Sequence, residues 1–207
     1  MTITIIVITA IISIMSFNNR TLMIKLQFNP YSTYHKKQWY RLITHAFVHA
    51  DYMHLFINMI VLLSFGTVVE RMFGELKGLG LISSPTLHFA ILYIGGTIIA
   101  SLTTLKKQKD NYYYNSVGAS GAVSAIVFTS IFFQPLSNLY LMGIIPIPAI
   151  IFGVAYLIYS HYMSRKSTDN INHDAHFVGA VFGFIYPLLI DPKLFKIFLN
   201  QLGLWVN

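Results

Sequence analysis

Six apolar stretches close to the length of a membrane span, parted by short polar loops, take up most of this chain and leave it few possible folds. They cover residues 2–17, 42–69, 85–105, 117–133, 139–160 and 175–190. A hydrocarbon core about 30 Å thick is crossed by roughly 20 apolar residues in a helix. Lipid offers no partner to backbone N–H and C=O groups, so such runs must form helices or a closed barrel. The expectation is an all-α polytopic membrane protein of six transmembrane helices in a single domain, 1–207. Only 10% of its residues are charged, against about 25% in soluble domains. The first stretch has no basic segment before it and no clear small-residue cleavage site, so it reads as an anchor rather than a removable signal. The tail from Leu194 to Trp205 mixes Phe195, Phe198, Leu202 and Trp205 with Lys196 and Gln201, which suits a short helix lying at the interface.

The charge balance is basic, with 14 Lys plus Arg against 7 Asp plus Glu. Such an excess fits nucleic acid, anionic lipid or asymmetric membrane loops. Here the charges fall between apolar runs, which assigns them to loops beside the bilayer and argues against a nucleic-acid partner. Cysteine is absent, which excludes disulfides, thiolate metal sites and a cysteine nucleophile.

Ionisable and polar residues inside a span are functional candidates by default, and three stretches carry them. The second holds His45, His49, His54 and Asn58 at steps of four, five and four, which on a helix fall close to one stripe. A metal site is one explanation, but no HExxH motif occurs and Asp51 lies off the stripe, so the ligand set and carboxylate base usual in a catalytic zinc site are incomplete. Hydrogen bonding between helices is a second explanation, preferred for His45 and His49 near the loop end. His54 and Asn58, deeper in the span, are the functional candidates.

The fourth stretch opens Gly118-Ala119-Ser120-Gly121-Ala122. Small neighbours let a peptide backbone reach the Ser120 oxygen, and glycine can take backbone angles that aim amides at a developing oxyanion. The same residues also suit ordinary helix packing. The sixth stretch places His176 just before Gly179 and Gly183, a spacing that lets helices approach closely. That approach would bring His176 to Ser120, whose hydroxyl needs a neighbouring base to become a nucleophile.

Taken together, His45-xxx-His49-xxxx-His54-xxx-Asn58, Gly118-Ala119-Ser120-Gly121 and Ala175-His176-xx-Gly179-xxx-Gly183 resemble the motifs of the rhomboid intramembrane serine proteases. Trp39, Arg41 and the segment from Glu70 to Gly74 resemble further family features, so the likeness reaches from about residue 39 to 190. The resemblance implies a six-helix rhomboid-like bundle with a Ser120–His176 dyad in a water-filled cavity below the membrane surface, and a serine endopeptidase that needs no cofactor. It makes Ser120 the nucleophile and His176 the general base. His54, Asn58 and the Ser120 amide form the oxyanion hole, with Gly118, Gly121, His49, Gly179 and Gly183 in support. Arg41 and Glu70 become structural. Its partners would be transmembrane protein substrates and the lipid bilayer.

Two positions depart from the family pattern: Ser124 stands where an aromatic residue often stacks on the catalytic histidine, and Tyr40 separates Trp39 from Arg41. The resemblance also implies a bacterial inner-membrane protein with its active site open to the extracytoplasmic side. That orientation puts ten of the 14 Lys and Arg residues outside and leaves Arg71, Lys77, Lys193 and Lys196 inside, against the positive-inside tendency. The alternatives are a catalytically inert rhomboid-like protein that binds membrane clients, and a small transporter or proton channel lined by His54, Asn58 and His176. The first class lacks the nucleophile or base, and the second leaves the Gly-Ala-Ser-Gly segment unexplained.

Overall fold

The computed structural model describes residues 1–141, 144–166 and 171–204. The chain forms α1 (Thr2–Phe17), α2 (Arg20–Leu26), α3 (Pro30–His35), α4 (Arg41–Thr44), a 3₁₀ turn at His45–Phe47, α5 (Tyr52–Gly78) and α6 (Pro85–Gln108). It continues through α7 (Ser120–Phe133), strands β1 (Asn138–Leu141) and β2 (Ile145–Pro148), α8 (Ala149–Lys166), α9 (His173–Ile190) and α10 (Leu194–Gln201). Among the described residues α5, α6 and α9 are long and apolar enough to cross a membrane, and α1 and α7 are shorter apolar helices. The protein is an integral membrane protein of polytopic helical type.

The centre of the fold is α7, in which every residue from Gly121 to Phe133 is buried. A helix apolar on all sides is stable only when other elements surround it. Here α5, α6, α8 and α9 do so, and close approach is set by small residues. A methyl group on Gly183 would run into the Ala125 carbonyl, and one on Gly179 into the Gly121 carbonyl. On the α6 side, added carbons at Gly96 and Gly121 would lie 2.9 Å from Ala125 Cβ and 2.6 Å from Ala100 Cβ. The outer surface is inverted relative to a soluble protein. On α1 the buried face is Thr2, Ile5, Thr9, Ser13 and Ser16, while Ile3, Val7, Ile11, Ile14 and Met15 are exposed, as suits a helix facing lipid.

The segment between α1 and α5 is tied down by its own polar groups. Arg41 is buried, its guanidinium donating to the carbonyls of Ile24 and Gln27 and to Gln38 Oε1. The Asn29 amide donates to the Tyr112 and Tyr114 carbonyls and accepts from the Ser32 N–H. Phe28 and Ser116 pair as an isolated bridge, which joins this segment to the loop that leads into α7. Glu70 accepts from the Thr2 N–H at 3.0 Å, holding the start of α1 against α5.

Two expected helical segments differ. Residues 42–51 are not the start of the second span. α4 and the 3₁₀ turn run into extended backbone at Val48, and α5 begins only at Tyr52, where Asp51 caps it by accepting the His54 N–H at 2.7 Å. The start of the expected fifth span, 139–160, is not helical: Asn138–Leu141 and Ile145–Pro148 pair as antiparallel strands with Leu139 opposite Ile147. Pro146 and Pro148 have no N–H to give a helix, and α8 starts directly after the second of them. In the tail, α10 buries Leu194 and Phe198, while Trp205 lies outside the described residues.

Candidate active site

The loop of residues 109–119 delivers the chain to α7 through Gly118, whose φ of +109° is one that residues with a side chain rarely adopt. Space makes the same demand, since a Cβ there would lie 2.7 Å from His54 Cε1 and 2.8 Å from His54 Nε2. The Gly118 N–H donates to the His45 carbonyl at 3.0 Å, which fixes the turn. Helix α7 then begins at Ser120. The first N–H groups of a helix have no acceptor within it, so a donor-rich end coincides with the serine.

Ser120, His176, His54 and Asn58 all line one cavity of about 1200 Å³. His176 lies on the first turn of α9, three residues before Gly179. Because Gly179 and Gly183 lie directly on the α7 backbone at Gly121 and Ala125, the histidine is held at the level of the serine. Its ring lies nearly parallel to that of Tyr156 of α8, with centroids 6.4 Å apart and planes 10° apart. His173 meets it edge-on at 5.9 Å. The Asn58 side chain is buried and donates one N–H to the His54 carbonyl at 2.9 Å. A primary amide has two such hydrogens, so one remains to face the cavity.

The four-residue stripe of the second stretch is not a single helical stripe. His54 and Asn58 share a face of α5 as expected, one turn apart, but His45 and His49 lie in the segment before it. His45 Nε2 bonds Ser101 Oγ on α6 at 3.0 Å. His49 is wholly buried, with its ring 5.0 Å from that of His54. Ser13 Oγ donates to the Phe47 carbonyl at 2.9 Å and contacts His49 Nδ1 at 2.9 Å. With its one hydrogen committed, Ser13 must accept from Nδ1–H, which leaves Nε2 to accept the Ala119 N–H at 3.4 Å. His49 is therefore a neutral strut between α1 and the backbone beside Ser120. Among the described residues no three His, Asp or Glu side chains cluster as a metal would need.

Two contributors escaped the sequence reading. Ser13 was hidden in what read as an anchor, although hydroxyls at 2, 9, 13 and 16 already mark one face of α1. Tyr156 sits among Phe152, Tyr159 and Tyr162, and nothing in its spacing singles it out.

Comparison with known proteins identifies the family of this chain. Residues 36–193 match the Rhomboid domain. The chain is 36% identical to the mitochondrial RHOMBOID-like protein 12 of Arabidopsis thaliana over 143 residues, covering 67% of this chain and 43% of that protein. It is 30% identical to the putative rhomboid protease YdcA of Bacillus subtilis, over 75% of this chain and 69% of the relative. It is 28% identical to the rhomboid protease GluP of the same bacterium, over 71% of this chain and 25% of the relative. The matched region contains every cavity residue named above, and on that extent of similarity the chain belongs to the rhomboid family.

Proposed function

We propose that this protein is an intramembrane serine endopeptidase that cuts transmembrane proteins within or beside their spans, with Ser120 as nucleophile and His176 as general base. The observation that carries the reading is that the two side chains, 56 positions apart in sequence, line one cavity and sit on helices pressed together at Gly179 and Gly183. Ser120 attacks the peptide carbonyl, and His176 takes its proton and returns it to the leaving amine. His54, the second hydrogen of the Asn58 amide and the Ser120 N–H supply donors for the oxyanion. Gly118 and Gly121 keep the approach to Ser120 clear, and His49 braces the preceding peptide. The dyad needs no cofactor.

In the same reading the chain is one domain of six spans, α1, α5, α6, α7, α8 and α9, in a bacterial inner membrane with the cavity opening to the extracytoplasmic side. Helix α7 has 14 residues, about 21 Å in length, and is shorter than the hydrocarbon core. A serine at its start therefore lies below the membrane surface. Substrate helices must unwind to expose a carbonyl carbon, which favours small or helix-breaking residues at the cleavage site.

A fluorophosphonate probe reports an activated serine without any need for a substrate. It is expected to label the purified protein at Ser120 and to fail on Ser120→Ala and His176→Ala; labelling that survives Ser120→Ala would assign the reactive group elsewhere. Asn58→Ala is expected to lower kcat by about 10²- to 10³-fold, the usual effect of losing one oxyanion donor, with KM little changed. An unchanged kcat in single-turnover cleavage would remove Asn58 from the oxyanion hole.

A further inference from the structure

Position 124 lies one turn after Ser120 on α7 and faces the same cavity, but it is a serine and has no ring to offer the base. The ring comes from a different helix. Tyr156 of α8 lies parallel to the His176 imidazole, and its hydroxyl is 2.9 Å from Ser124 Oγ. Phe128 at 5.7 Å and Phe152 at 6.1 Å enclose the same ring. A tyrosine hydroxyl within an otherwise aromatic contact needs a partner, and Ser124 provides it.

We propose that Tyr156 is the positioning residue for His176, with Ser124 as the anchor that holds the Tyr156 ring in place. This rests on the Ser120–His176 reading given above. The Tyr156 ring, nearly parallel to the imidazole with its centroid 6.4 Å away, borders His176 on the α8 side, while His176 also lines the cavity. With His173 edge-on at 5.9 Å, the imidazole is held on two sides and loses freedom to rotate out of line. The anchor and the ring are thus divided between α7 and α8, and the line of the base depends on how those two helices are registered. A residue that only filled space would be replaceable by leucine, and its hydroxyl would not need to meet Ser124.

The test uses the purified full chain, a single-span substrate in liposomes, and NMR of histidine-labelled protein in detergent with the His176 signals assigned. Tyr156→Leu keeps most of the apolar volume and removes the aromatic face. It is expected to lower kcat by about 10- to 100-fold, as misaligned reacting groups do, with KM within about twofold. It should also change the chemical shifts of the His176 carbon-bound protons, leaving only the contribution of the His173 ring. Tyr156→Phe and Ser124→Ala, which keep the ring but lose the anchor, should each cost about two- to tenfold, the range for one hydrogen bond, and combining them should cost no more than either. The pair Ser124→Tyr with Tyr156→Ala moves the ring from α8 to α7 and should regain activity over Tyr156→Ala alone.

Leucine at 156 with full kcat, or His176 proton shifts left unchanged by Tyr156→Leu, overturns the proposal. If the wild type cuts no substrate and resists the fluorophosphonate probe, the protease reading fails. The chemical-shift comparison then still decides whether Tyr156 holds His176.

Discussion

Gly183→Ala is expected to disrupt the contact between α7 and α9 and to remove most activity, although neither the residue nor its contact takes part in chemistry. The added methyl would occupy the position of the Ala125 carbonyl, which belongs to backbone and has no rotamer to yield. Overpacking of a tight interface costs about 1–3 kcal/mol and sometimes more. The upper end applies here, because Thr129 Oγ1 also donates to the Gly183 carbonyl at 2.7 Å. The functional effect is amplified by geometry. His176 lies two turns before Gly183 on the same helix, and a shift of about 1 Å in a reacting group can cost around 10²-fold. Gly179→Ala meets the Gly121 carbonyl and should behave alike. Gly74→Ala on α5 is the control: nothing lies within 4 Å of the added carbon, and the gain in helix propensity is about 1 kcal/mol at most. Thermal unfolding in detergent, read beside cleavage, should therefore show a large loss at 179 and 183 and none at 74.

That contrast shows what the sequence reveals and what it conceals. The spacing of Gly179 and Gly183 announces a close helix contact, and the structure puts α7 there. The lengths of the apolar runs announce α1, α5, α6, α7 and α9 for the same physical reason, since lipid leaves the backbone few alternatives. Apolarity does not distinguish helix from strand over a short run, so the strands Asn138–Leu141 and Ile145–Pro148 are announced only by Pro146 and Pro148. The steps of four, five and four from His45 to Asn58 suggest one helix, yet Asp51 is the cap, and no residue before it belongs to α5. An Asp before an apolar periodic run is a recognised N-cap signal, and it carried more information than the histidine spacing. Ser124 was visible as a missing ring, but its replacement by Tyr156 was not. A stacking partner from another helix is a matter of tertiary placement, and one aromatic residue among several in α8 gives no local sign of it.

The second large effect concerns the dyad itself. Without a base, a serine hydroxyl is a poor nucleophile at neutral pH, and without the serine the base has nothing to activate. In the proposed mechanism the pair acts as a unit, so Ser120→Ala and His176→Ala should each lower kcat by at least about 10⁴-fold, and the double substitution should be no worse than either alone. Neither substitution adds volume at the α7–α9 contact, so thermal unfolding should stay near that of the wild type. Loss of activity with the fold intact separates this prediction from the one for Gly183.

The most direct measurement is cleavage of a single-span substrate by the purified protein in liposomes, with wild type, Ser120→Ala and His176→Ala compared side by side. The account predicts one defined cut by the wild type within or beside the span, and no detectable product from either variant. Cleavage that persists in Ser120→Ala, or three folded proteins equally inactive across several substrates, would contradict it; the second result would instead favour a client-binding member of the family.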